Sequence, residues 1–115
     1  LELIAREIGD LDSGSNLVEF LANCGISREL IEYPQTKWRM VNDVLTTLAT
    51  SNKPKDQELL FKVIEEASHP LMHGGDENLA KETEIKFNKY LKYDGFQLHN
   101  FKIKKQLIML QIASP

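Results

Sequence analysis

The sequence predicts a mainly α (α+β) fold: a compact bundle of about five helices followed by a C-terminal β-hairpin, an order that would also accommodate a winged-helix-like arrangement. Three observations carry this expectation. Apolar residues recur at helical spacing in successive stretches up to Tyr93. Glycines and prolines stand at the ends of those stretches, and after Gly95 the period changes to the two-residue alternation of a strand.

Leu1 to Ile8 carries Leu1, Leu3, Ile4, Ala5 and Ile8 and ends at Gly9, which reads as the last turns of a helix continuing from a preceding part of a longer protein. Asp10 to Ser15 is turn-forming. Ser15 or Asn16 would cap a second helix that faces inward through Leu17, Phe20, Leu21 and Cys24 and stops at Gly25. Ser27 would cap a short helical piece from Arg28 to Glu32, closed by Pro34 because a proline pushes the residue before it out of helical dihedrals.

After Thr36, residues Trp38, Val41, Val44, Leu45 and Leu48 form an apolar stripe, which predicts a helix with a buried tryptophan near its start. Pro54 suits the first turn of the next helix, Lys55 to about Ala67, whose inward set is Leu59, Leu60, Val63, Ile64 and Ala67. Pro70 ends it, His69 to Asp76 connects, and Asp76 caps a long helix from Glu77 to Tyr93. Leu79, Ala80, Thr83, Phe87, Tyr90 and Leu91 are expected on its buried face. Asp94-Gly95 stops it. Phe96-Gln-Leu98 and Phe101 to Lys104 then alternate like strands joined by a turn at His99-Asn100.

A length of 115 residues suits one domain, divided here into the helix end 1–9, a helical body 15–93 and a strand-like tail 96–112. With 42% apolar and 27% charged residues the composition is that of a folded chain, and its longest apolar run, Leu107 to Leu110, is too short for a membrane span. No membrane partner is therefore expected. Cys24 is the only cysteine, which excludes an internal disulfide and suits a reducing, cytoplasmic setting.

The net charge of -3 supplies no general attraction for nucleic acid, but the charge is uneven. Between Glu84 and Lys105 there are six lysines, 86, 89, 92, 102, 104 and 105, against Glu84 and Asp94. Lys89 and Lys92 are explained by the helix C-terminus, where the dipole favours cations. Lys102, Lys104 and Lys105 are explained as protection of a strand edge, or as a small basic wing that touches phosphates. These five lysines are the candidate contacts for a partner or nucleic acid. Leu107, Ile108, Met109 and Leu110, apolar on both sides of a strand, are the candidate self-association segment.

Catalytic and metal readings find little to stand on. His69, His73 and Asp76 have a spacing that would gather ligands on one helix face, yet Pro70 and Gly74-Gly75 deny that helix. No nucleotide-binding glycine motif or nucleophile elbow occurs. The arginine-then-histidine pair of helical defence nucleases is missing after Arg6, Arg28 and Arg39. No catalytic, cofactor or metal residue is expected.

Tyr33-Pro34, Thr36-Lys-Trp-Arg39, His69-Pro-Leu71, Gly75-Asp76, Phe87-Asn88, Leu91 and Asp94-Gly95 together resemble a small helical accessory domain of prokaryotic abortive-infection and TIR-like phage-defence proteins. The resemblance spans roughly Leu17 to Leu98 and implies a recognition or regulatory module of a larger protein, with no catalytic residue carried over. The expected function is a non-catalytic protein-interaction or self-association module. The alternative is a winged-helix-like nucleic-acid binder using the 77–93 helix and the basic 101–105 hairpin.

Overall fold

The computed structural model describes residues 1–105, so Leu107, Ile108, Met109 and Leu110 lie outside the described residues. Five α-helices are followed by one antiparallel hairpin, the mainly helical order the periodicities predict. They are α1 (Glu2–Gly9), α2 (Gly14–Asn23), α3 (Lys37–Thr50), α4 (Pro54–Ser68) and α5 (Glu77–Leu91), then β1 (Phe96–His99) and β2 (Lys102–Lys105). Three short 3₁₀ turns, Arg28–Leu30, Pro70–His73 and Lys92–Asp94, fill the joints.

The chain divides into two compact units, Leu1–Ala67 and Ser68–Pro115, the second described through Lys105. They differ in charge. Unit 1 holds twelve acidic and seven basic residues, a net charge of -5, whereas unit 2 holds five acidic and seven basic, a net charge of +2.

In unit 1, α1 packs on α3, and Ile4, Ala5, Ile8, Val41, Val44, Leu45 and Leu48 are all buried, as their helical stripes require. The close approach depends on Gly9, since a Cβ there would meet Trp38 Cα and N at 3.0 Å. Trp38 is itself only half-buried, which corrects the expectation of a buried tryptophan. It lies in the first turn of α3, where the Arg6 guanidinium covers its ring at 3.8 Å from the centroid, and Met40 takes the core position instead.

The start of α2 also differs from expectation. Ser13, not Ser15 or Asn16, is the cap, its Oγ accepting from the Asn16 N–H at 3.3 Å. Asp12 reinforces this turn by accepting from Asn16 Nδ2 and the Ser13 N–H, and both bonds hold its carboxyl below the usual range. The short helical piece ends at Leu30 instead of Glu32, and Ile31 is extended with its side chain in the core. Leu17, Leu21 and Cys24 are buried, while Phe20 and Leu59 are half-buried.

Unit 2 is built on α5. Asp76 caps it through Oδ1, which accepts from the Leu79 N–H at 3.0 Å, and Ala80, Thr83, Phe87 and Leu91 form its buried stripe. Leu79, expected inside, is 44% exposed because it stands well off that stripe, and Tyr90 is half-buried for the same reason. The helix stops at Leu91 instead of Tyr93, and Gly95 at φ +79° makes the reversal into β1 that a side chain would resist.

The hairpin pairs Phe96 with Lys105, Gln97 with Lys104, Leu98 with Ile103 and His99 with Lys102. Its turn is therefore Asn100-Phe101, one residue later than expected, and both residues have positive φ, +50° and +63°. That is the conformation of the tight turn whose twist matches paired strands, and asparagine accepts it more readily than phenylalanine does.

Candidate functional site

Two regions are candidates: the basic hairpin that the sequence singles out, and a groove in unit 1 that it does not. In the hairpin, cross-strand partners share a face and alternate residues change face. Leu98 and Ile103 thus lie with Phe96 and Lys105, while Gln97, His99, Lys102 and Lys104 share the opposite face and are all exposed. Lys102 and Lys104 are brought together; Lys105 is turned to the other side beside Phe96. Lys89 and Lys92 are exposed near the end of α5, with Lys92 Nζ 5.3 Å from the centroid of the Tyr93 ring.

Two polar side chains one turn apart on α5 hold the hairpin backbone. Asn88 Oδ1 accepts from the Leu98 N–H at 2.6 Å, and Asn88 Nδ2 donates to the Leu98 carbonyl at 3.0 Å. Glu84 Oε2 accepts from the Phe101 N–H at 2.8 Å. Because a two-residue turn makes His99 and Lys102 the hydrogen-bonded pair, the polar groups of Leu98 point away from β2, and Asn88 occupies that edge.

His69, whose spacing to His73 and Asp76 raised the metal reading that the sequence argues against, has structural work. His69 Nδ1 accepts from the Leu71 N–H at 3.2 Å and caps the 3₁₀ turn, and its ring lies 6.0 Å from that of Phe101. Among the described residues no group of three His, Cys, Asp or Glu side chains is placed to hold a metal ion. Cys24 is buried, and that burial, with Glu66 nearby, raises its thiol pKa to about 11, far from a reactive thiolate.

The groove in unit 1 encloses about 740 Å³ between the 29–33 segment and the outer face of α3. Its geometry follows from Ile31. With Ile31 drawn into the core in extended backbone, Leu30 and Glu32 on either side are directed outward, and Leu30 is 42% and Tyr33 49% exposed. The other wall is Asn42, Asp43, Thr46 and Thr47, the polar face of α3 opposite Val44 and Leu48.

Glu29, Glu32 and Asp43 line this groove and no lysine or arginine does. Arg28, adjacent in sequence, is engaged elsewhere in a two-pronged pair with Glu19, both contacts at 3.0 Å. Asp43 is fixed by Gln35 Nε2 at 3.3 Å, and the same amide donates to the Glu32 carbonyl at 2.7 Å, tying the two walls together. The Tyr33 ring lies over Gly14, where a Cβ would come within 2.9 Å of Cε2. The sequence signal for the groove is the doublet Glu29-Leu30 and Glu32-Tyr33, with no basic residue from Glu29 to Thr36.

A smaller recess of about 460 Å³ lies at the α3–α4 connection, lined by Ser51 to Pro54, Gln57, Glu58 and Phe61. Among the described residues no helix is long and apolar enough to cross a membrane. No protein-family model, no curated protein and no solved structure matches the chain.

Proposed function

We propose that the chain is a non-catalytic protein-interaction module, and that the groove between residues 29–33 and α3 is its working surface. One observation carries this reading: Leu30 and Tyr33, both large and apolar, stand half-exposed together on a preformed concave wall. Paired apolar anchors ringed by polar groups are the usual centre of a protein interface, where an aromatic side chain supplies most of the buried area. The resemblance to accessory domains of prokaryotic phage-defence proteins supports a regulatory role within a larger cytoplasmic protein.

The test is site-specific photo-cross-linking from position 33 in cells of the source organism, with position 93 as the exposed control in unit 2. The partner joined to position 33 is then purified and its binding to the chain reconstituted. Binding that is lost in Leu30→Ser and Tyr33→Ser chains supports the reading; equal cross-linking from both positions, or unchanged binding by the variants, rejects it.

A second reading is favoured by the hairpin register, which gathers Lys102, Lys104 and His99 on one face. It is a nucleic-acid binder of winged-helix-like design, with Lys89 and Lys92 of α5 as further phosphate contacts. Its affinity for short duplexes would fall steeply with salt and be lost when Lys102 and Lys104 become glutamate. Lys105→Glu would matter less, because Lys105 is on the other face. No binding to duplex or single-stranded DNA or RNA at low salt rejects it.

A further inference from the structure

We infer that the partner segment received by the unit 1 groove is a basic one: a short stretch with an apolar anchor flanked by lysine or arginine. The inference rests on the reading of this groove as an interaction surface and adds the chemistry of its occupant. Glu29, Glu32 and Asp43 all line one concave surface, and no lysine or arginine lines it. Among the described residues, the Glu29 and Glu32 side chains have no ion-pair or hydrogen-bond partner, and both are exposed.

Three carboxylates and no lysine or arginine around one depression give it a negative sign. A cationic segment is attracted by that sign, whereas an acidic one is repelled. The surroundings reinforce the sign, because unit 1 as a whole carries a net charge of -5. Charge alone would attract any cation without orienting it. The apolar pair Leu30 and Tyr33 supplies the fixed point, and Gly14 sets the place of the tyrosine ring by leaving room beneath it.

The probe is a fluorescent peptide, acetyl-Ser-Lys-Arg-Leu-Lys-Arg-Ser-amide, titrated against the purified chain at about 20 mM and about 150 mM salt, a range over which screening of exposed charges becomes strong. Two control peptides replace the leucine by serine, or all four basic residues by glutamate. Saturable binding of the first peptide only, weakened about tenfold or more by Glu29→Lys with Glu32→Lys, agrees with the inference. Gly14→Ala, which retains every groove charge but displaces the tyrosine ring, is expected to weaken binding several-fold; circular dichroism confirms that each variant is folded.

Equal binding of the leucine and serine peptides would reduce the groove to a diffuse acidic surface and overturn the inference. So would a dimer in sedimentation that the groove variants dissolve and the peptide does not, since the occupant would then be a second copy. A partner cross-linked at position 33 with no binding of the basic peptide leaves the interaction reading standing and rejects only the basic occupant.

Discussion

Asn88 holds both backbone polar groups of Leu98, accepting from the N–H at 2.6 Å and donating to the carbonyl at 3.0 Å. An amide side chain has one donor end and one acceptor end at the spacing of a peptide group, so it substitutes for a neighbouring strand. Leu98 is 3% exposed, and without Asn88 these groups would lack a partner where water reaches poorly. Asn88→Ala is expected to destabilise unit 2 by about 2 kcal/mol, read from urea unfolding, with faster amide exchange at Leu98. Asn88→Asp keeps the acceptor and loses the donor, so its loss should be intermediate.

The turn residue Phe101 depends on α5 in the same way. Its φ of +63° is strained for a side chain by about 1–2 kcal/mol, and the Glu84 carboxylate accepts its N–H at 2.8 Å. Phe101→Pro removes the donor and demands a negative φ, and should abolish the hairpin while α5 stays helical. Glu84→Gln keeps an acceptor and is expected to cost less than Glu84→Ala, for which about 1–2 kcal/mol is expected. Backbone amide shifts of residues 96–105 report each outcome.

Gly9 separates two opposed effects of one methyl group. Alanine would raise helix propensity by about 1 kcal/mol at a helical position. Its Cβ would also meet the Trp38 backbone at 3.0 Å, where α1 and α3 pack, and overpacking of that kind costs about 1–3 kcal/mol. Because the contacted atoms are mainly backbone, the steric effect should win. Gly9→Ala is expected to destabilise unit 1 by about 1 kcal/mol in urea and to alter the emission of Trp38, the only tryptophan. An increase in stability would show that α1 can shift without penalty.

Cys24 should resist thiol reagents in the folded protein at pH 8 and react on unfolding, because burial first and Glu66 second push its pKa up to about 11. The folded state holds this proton more tightly than the unfolded chain, where the thiol pKa is about 8.5–9. The contribution to stability is therefore complete below about pH 8.5 and is lost as pH rises toward 11. Unfolding midpoints of the native chain and of Cys24→Ala should converge over that window; a constant difference would mean that the thiol does not titrate differently in the two states.

The local elements were legible in the sequence because periodicity and punctuation are short-range. The stripe Val41, Val44, Leu45, Leu48, the first-turn proline Pro54 and the cap Asp76 need only neighbouring residues to act. The errors were also local where two residues could serve. Ser13 caps α2 ahead of Ser15 because Asp12 can join it in holding the Asn16 side, and the hairpin turn moved to Asn100-Phe101 because Glu84 supplies an acceptor from another element. Lys102 and Lys104 were readable as strand residues of one face, and the structure added that the strand continues to Lys105, which the alternation places on the other face.

By itself, then, the sequence determined the helical order, the change to a hairpin after Gly95 and the locally basic stretch from Glu84 to Lys105, since these depend on spacing and composition. The tertiary structure decided that Asn88 and Glu84 are hairpin anchors and that Trp38 is shared between the core and Arg6. It also decided that Glu29 and Glu32 meet Asp43 around Leu30 and Tyr33. Asp43 is eleven positions beyond Glu32 and on another element, so no local period brings them together. The burial of Ile31 does, by fixing how the extended segment runs across the face of α3.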